Sequence, residues 1–185
     1  MPKRRSKEIK IIRIDGKEYI AEYLGKGVFS KVYRVGNRAI YFTKGDCSKK
    51  VLAMYSFERL PHITEIVQHN NVGAFQVYSS PIYGDVKKSD TSAWRLMTEI
   101  IKLYKLYSSH LAVNFLRLSG RERMQGFVDM LEDDKSVPYS IIRSLQAMIE
   151  IYRNCGDNTY FDFHKQNFGV NEYGTLIFRD IAFIK

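Results

Sequence analysis

The sequence predicts an α+β fold, with a β-rich lobe over residues 9–80 followed by a helical lobe over 81–185 that ends in a small hairpin. Two observations carry this expectation. Up to residue 80, short runs of β-branched and aromatic residues are separated by glycine-containing turns, the pattern of an antiparallel meander. From about Ser92, apolar residues recur at helical spacing instead.

The elements follow in order. Ile9 to Ile14 is rich in β-branched residues, and Asp15-Gly16 marks a turn. Tyr19 to Leu24 runs into Gly25-Lys26-Gly27. Lys31 to Val35 and Ala39 to Lys44 are two further strands about the Gly36-Asn37 turn. Ser48 to Leu60 suits one short helix stopped by Pro61. Ile63 to Gln68 and Ala74 to Tyr78 read as strands, and Ser80 to Lys88 as a connector. A helix from Ser92 places Trp94, Met97, Ile101, Tyr104 and Leu111 on one stripe. Leu116 to Leu131 holds another, with a breaker at Gly120. Pro138 opens a stronger one, striped by Ile141, Leu145, Met148, Ile149 and Tyr152, with Gly156 at its exit. Tyr160 to Phe163 and Thr175 to Phe178 are short strands, with Glu172-Tyr173-Gly174 as the turn between them.

Composition narrows the classes. A chain of 185 residues, 45% hydrophobic, fills one domain or two small lobes. No run is apolar enough to cross a bilayer, and no signal core follows the basic tail of residues 1–8, where Lys3 to Lys7 cluster. We therefore expect no membrane association. The two cysteines, Cys47 and Cys155, form no C-x-x-C pair, which favours reduced thiols and a cytoplasmic location. With His62 and His164 they also lack zinc-site spacing. The net charge of +9 favours anionic partners: nucleotide phosphates, acidic proteins or nucleic acid. A nucleic-acid role rests on charge alone, because no aromatic-basic stripe accompanies it.

Two clusters carry chemistry. Gly25-Lys26-Gly27-Val28-Phe29-Ser30, followed by Val32, places two glycines between strand-like runs. Glycines there let backbone N–H groups approach phosphates without a Cβ in the way. The second cluster is Asp162 and Asn167, with Asp180 beyond the hairpin turn. Two carboxylates and a carboxamide are the hard oxygen donors that magnesium prefers. A hairpin between them would set Asn167 and Asp180 side by side.

These residues resemble the motifs of protein kinase-like enzymes. The Gly25–Ser30 stretch resembles a phosphate-covering hairpin, and Phe161-Asp162-Phe163-His164-Lys165-Gln166-Asn167 resembles the D-x-H-x-x-N catalytic loop of the atypical and aminoglycoside-kinase branches. Together with Asn37-Arg38-Ala39-Ile40 and Phe178-Arg179-Asp180, they are most similar to the early serine/threonine protein kinases of T-seven-like bacteriophages. The resemblance implies a minimal kinase-like fold with a truncated helical lobe, ATP and Mg2+ as cofactors, and a host or self protein as substrate. It implies that Asp162 is the catalytic carboxylate, and that Asn167 and Asp180 hold magnesium. Gly25, Lys26, Gly27, Val28, Phe29 and Ser30 would cover the phosphates, and Val32 would contact the adenine. His164 would brace the loop or act as a base.

The sequence departs from that pattern in three places. The position of the phosphate-pairing lysine holds Tyr41, or Lys44 if the strand shifts by three, and an odd shift exchanges the two faces of a strand. Glu58 is the acid available to pair with such a lysine. The turn after Asp180 reads Ile181-Ala182, without a glycine, and the sequence ends at Lys185. We therefore expect no activation segment, and an acceptor platform drawn from Ser89 to Pro138 or from a partner. A binding-only pseudokinase, or a kinase of small molecules, stays open on these grounds.

Overall fold

Alternating burial along the first strands follows from their alternating side chains, which point to opposite faces of a sheet. The computed structural model describes residues 8–27, 29–55, 60–110, 118–156, 159–180 and 182–184. The basic cluster Lys3 to Lys7, Val28, Glu58, Leu111 and Ile181 lie outside the described residues. The chain divides into two units, one formed by Met1–Ser56 with Glu65–Ile82, the other by Phe57–Thr64 with Tyr83–Lys185.

The first unit is a six-stranded antiparallel sheet with one helix. Its strands are β1 (Ile9–Ile14), β2 (Lys17–Lys26), β3 (Ser30–Val35), β4 (Arg38–Thr43), β5 (Val67–Val72) and β6 (Phe75–Pro81), in the order β1-β2-β3-β4-β6-β5. Helix α1 (Cys47–Tyr55) follows β4. Ile14, Ala21, Tyr33, Ile40 and Val77 form the apolar core on one face. The edge strands meet through Asp15. Its carboxylate accepts from the Asn70 amide at 2.9 Å and pairs with His69 Nδ1 at 2.7 Å, while His69 Nε2 lies 2.8 Å from Ser79 Oγ. Asp15 takes a left-handed φ of 49°, as the tight turn after β1 requires. The bonds from the Asn70 amide and His69 hold its carboxyl below the usual range.

The second unit carries helices α2 (Thr91–His110), α3 (Gly120–Asp133) and α4 (Tyr139–Tyr152), and short strands β7 (Thr159–Phe161), β8 (Phe168–Val170), β9 (Leu176–Phe178) and β10 (Ala182–Ile184). The apolar stripe of α4 is buried as its spacing predicts. The α2 stripe is rotated by one residue: Ala93, Met97, Ile100 and Leu103 are buried, whereas Trp94 and Ile101 are only half-buried. Gly120 is no breaker but the first residue of α3. Ser119 caps it in a capping box, accepting from the Glu122 amide at 3.2 Å while its own amide donates to the Glu122 carboxylate at 2.7 Å.

The strand expected over Ile63 to Gln68 is divided between the units. Ile63 bridges Phe178 in the second unit, and Val67 opens β5 in the first. The hairpin also differs from expectation. Strand β9 pairs with β8, and β7 pairs with β10. Neither Cys47 nor Cys155 is a free thiol, against the expectation of reduced cysteines. Spacing alone does not reveal oxidation state.

Candidate functional site

In the second unit, the Asp162–Asn167 loop is built from its backbone outward. The His164 amide donates to the Asp162 carbonyl at 3.0 Å, and the Asn167 amide donates to the His164 carbonyl at 2.9 Å, which closes the single turn Lys165–Asn167. Phe163 anchors the loop from beneath. It is 6% exposed, and its ring meets those of Tyr104, Phe127, Phe161, Phe168 and Phe178 at centroid distances of 4.8–6.3 Å. Tyr104 adds a hydrogen bond from its hydroxyl to the Phe161 carbonyl at 2.9 Å. Burial, and then the nearby Asp162 charge, push the Tyr104 phenol above its usual pKa.

With Phe163 turned inward, its neighbours Asp162 and His164 stay half-exposed. The Asn167 carboxamide donates from Nδ2 to the Asp162 carbonyl at 2.9 Å and to its carboxylate at 3.1 Å. His164 Nε2 lies 3.3 Å from the same carboxylate oxygen, Oδ2. Asp162 thus has a fixed carboxylate with two polar neighbours, accessible to solvent. Lys165 is laid over the Trp94 ring at 4.5 Å, which ties the loop to α2.

Asp180 reaches this neighbourhood through its own neighbour. The Arg179 amide donates to the Asn167 carbonyl at 2.8 Å, one step beyond the β8–β9 ladder. The Arg179 guanidinium is clamped in turn, by Asp85 at 3.0 Å, by the Tyr83 carbonyl at 2.7 Å and by the Gly84 carbonyl. That clamp was not legible in sequence, because its partners lie more than ninety positions away. Asp162, Asn167 and the backbone before Asp180 therefore come together in one unit. No group of three or more His, Cys, Asp or Glu residues gathers for a metal among the described residues. The donors expected from the sequence, Asp162, Asn167 and Asp180, are two carboxylates and a carboxamide, a chemistry that would suit a hard cation such as magnesium better than zinc.

The glycine stretch lies in the first unit. Gly25 opposes Val32 across the β2–β3 ladder, just past a bulge. The Gly27 amide donates to the Ser30 carbonyl at 2.8 Å, so that amide serves the turn itself. A Cβ at Gly27 would meet only the Ser30 carbonyl oxygen at 3.9 Å, so crowding among the described residues does not require glycine there. Phe29 is half-exposed. Its carbonyl accepts from the Thr43 hydroxyl at 2.9 Å and the Lys44 amide at 3.4 Å, joining the turn to the end of β4. Ser30 is buried, and its hydroxyl has no hydrogen-bond partner among the described residues.

Register decides which side chains share a face. Val32 opposes Tyr41, and Tyr41 opposes Tyr78, so these three form one row across β3, β4 and β6. The row lies on the face opposite the apolar core, because Tyr33, Ile40 and Val77 alternate with it. Lys44 follows β4, and its ammonium lies over the Phe75 ring at 5.0 Å. Phe75 meets Phe42, which packs on the apolar core. Lys44 therefore turns toward the core face, away from Val32.

No protein-family model matches the chain, and no curated protein sequence matches it. No helix among the described residues is long and apolar enough to cross a membrane.

Proposed function

We propose that the chain is a small ATP-dependent protein kinase that transfers phosphate to serine or threonine of a protein acceptor, host or self. One observation carries this reading: the Asn167 side chain bonded to Asp162, with Arg179 joining the backbone before Asp180 to Asn167. Phosphoryl transfer asks for positioned carboxylates and electrostatic support more than for covalent chemistry. In this reading the Asp162 carboxylate takes the proton of the acceptor hydroxyl. Asn167 and Asp180 would hold Mg2+, which supplies charge neutralisation on the phosphates. The Gly25–Ser30 turn would cover the phosphates, and Val32 would face the base. A kinase-like fold with a shortened helical lobe belongs to the same proposal, as does a phage origin. So does a cytoplasmic location, in a host cell.

The test is incubation with labelled ATP, magnesium and a mixed host protein extract. Label is expected on protein serine or threonine, and is expected to vanish with Asp162→Ala and with Asp180→Ala. Label that survives both substitutions refutes the assigned chemistry. A second reading, a nucleotide-binding pseudokinase, draws on Tyr41 in the row where a lysine is expected. ATP binding with no transfer under any acceptor would favour it.

A further inference from the structure

We propose that Lys49, from the first turn of α1, supplies the phosphate-pairing cation of the nucleotide site, in place of a lysine on β4. This rests on the nucleotide reading above and assigns a residue to it. The Lys49 ammonium lies over the Tyr41 ring at 4.8 Å, on the Val32–Tyr41–Tyr78 row. The position on β4 is thus filled by an aromatic platform, and the charge arrives from the helix. Tyr41 itself is fixed by its hydroxyl, 3.0 Å from Ser80 Oγ.

The placement is built rather than incidental. Lys49 is 8% exposed, and Asp46, at 7%, pairs with it at 3.2 Å. Asp46 is held in turn by the Ser48 hydroxyl at 2.6 Å and the Lys49 amide at 3.2 Å. Burial pushes the Asp46 carboxyl up. The Lys49 charge and these hydrogen bonds outweigh it and leave it below the usual range. A buried ion pair gives a fold little that an apolar pair of the same volume would not. A lysine retained here at that cost points to a use for its charge.

The surroundings point to an anion. This sheet face carries buried polar side chains, Ser30, Thr43, Tyr78 and Ser80, where the other face carries the apolar core. The hydroxyls of Ser30 and Tyr78 are buried without a hydrogen-bond partner among the described residues. Tyr78 is fully buried and close enough to Asp46 and Lys49 for their charges to act on its phenol. Donors left unpaired in this way are costly unless a ligand meets them. The glycine turn is also near. Ser30 opposes Thr43, two residues along β4 from Tyr41 on the same face, a span of about 7 Å. A phosphate under the turn would lie within reach of the Lys49 ammonium. Lys44, turned to the opposite face over Phe75, would not share that position.

Binding of ATP with magnesium and binding of adenosine, each followed by calorimetry, separate the roles. Lys49→Met is expected to lose tenfold or more in ATP affinity while adenosine affinity is kept. Lys49→Arg is expected to keep most of the ATP affinity, and Lys44→Ala to match wild type. Equal loss for ATP and adenosine in Lys49→Met, or an ATP loss in Lys44→Ala instead, overturns the assignment. Should Lys49→Met fail to fold, wild-type protein treated with an acyl-phosphate derivative of ATP answers the same question. Acylation at Lys49 that excess ATP suppresses supports the proposal, and acylation at Lys44 alone refutes it. Wild type that binds neither ATP nor adenosine defeats the nucleotide reading itself, and this assignment with it. ATP binding unchanged in Lys49→Met defeats the assignment alone.

Discussion

Phe163→Ala removes the ring that five other aromatic side chains surround. At 6% exposure the lost side chain leaves a cavity that solvent cannot readily fill. Truncating a buried phenylalanine costs about 3–5 kcal/mol. The upper half applies here, because Phe161, Phe168 and Phe178 belong to short strands fixed by backbone ladders and have little freedom to collapse inward. Whole-domain stability is only about 5–15 kcal/mol, so the loss is a large share of it. With roughly 2–4 °C per kcal/mol for a chain of this size, the melting temperature is expected to fall by roughly 8–20 °C. Phe163→Leu, which refills most of the volume, is expected to cost about a third as much. Denaturant titration and thermal melting followed by far-ultraviolet circular dichroism measure both. Asp162 and His164 flank the ring, so the phosphoryl transfer proposed above should fall in Phe163→Ala even below its melting temperature. A Phe163→Ala protein that melts within 2 °C or so of wild type would refute the claim that this ring fixes the loop.

Two further outcomes follow from the second unit. Ser119→Ala opens the capping box of α3 and is expected to cost about 1 kcal/mol, read by urea titration; no measurable change would show that the cap contributes nothing to the helix that carries Phe127. His62 is buried, with Nδ1 2.8 Å from the Leu176 carbonyl and Nε2 3.0 Å from Ser140 Oγ. Nδ1 therefore carries the proton it donates to that carbonyl, and Nε2 accepts from the serine. Burial holds its pKa below the ordinary value of 6.5. The unfolded chain then takes up the proton first, so stability is full above pH 6.5 and is lost as pH falls from there toward the depressed folded value. Comparison of wild type with His62→Gln between pH 5 and 7 should show a shallower decline in the variant; identical slopes would remove His62 as the cause.

The strands of the first unit were legible because their turns are local: Asp15-Gly16 and Gly36-Asn37 fix hairpins from two residues each. The α4 stripe was legible because one face of it is wholly buried. The α2 stripe was misplaced by one residue, since Trp94 is set aside to hold Lys165 rather than to fill the core. Ser119 and Glu122 are a local signal that sequence reasoning passed over in favour of Gly120 as a breaker. The pairing of β9 was misread because adjacent short strands of three residues carry too little pattern to name their partners.

The α+β order, the polar run from Asp162 to Asn167 and the tyrosine at position 41 are properties of neighbouring residues and could be read directly. Contacts between distant residues set what each could touch. They brought Asn167 to Asp162 and to the residue before Asp180, clamped Arg179 against Tyr83, Gly84 and Asp85, turned Lys44 onto the core face and laid Lys49 over Tyr41. The physical reason is the same in each case. A strand's local pattern says that two faces exist, but only the register of its neighbours and the helix packed upon it say which face receives a charge.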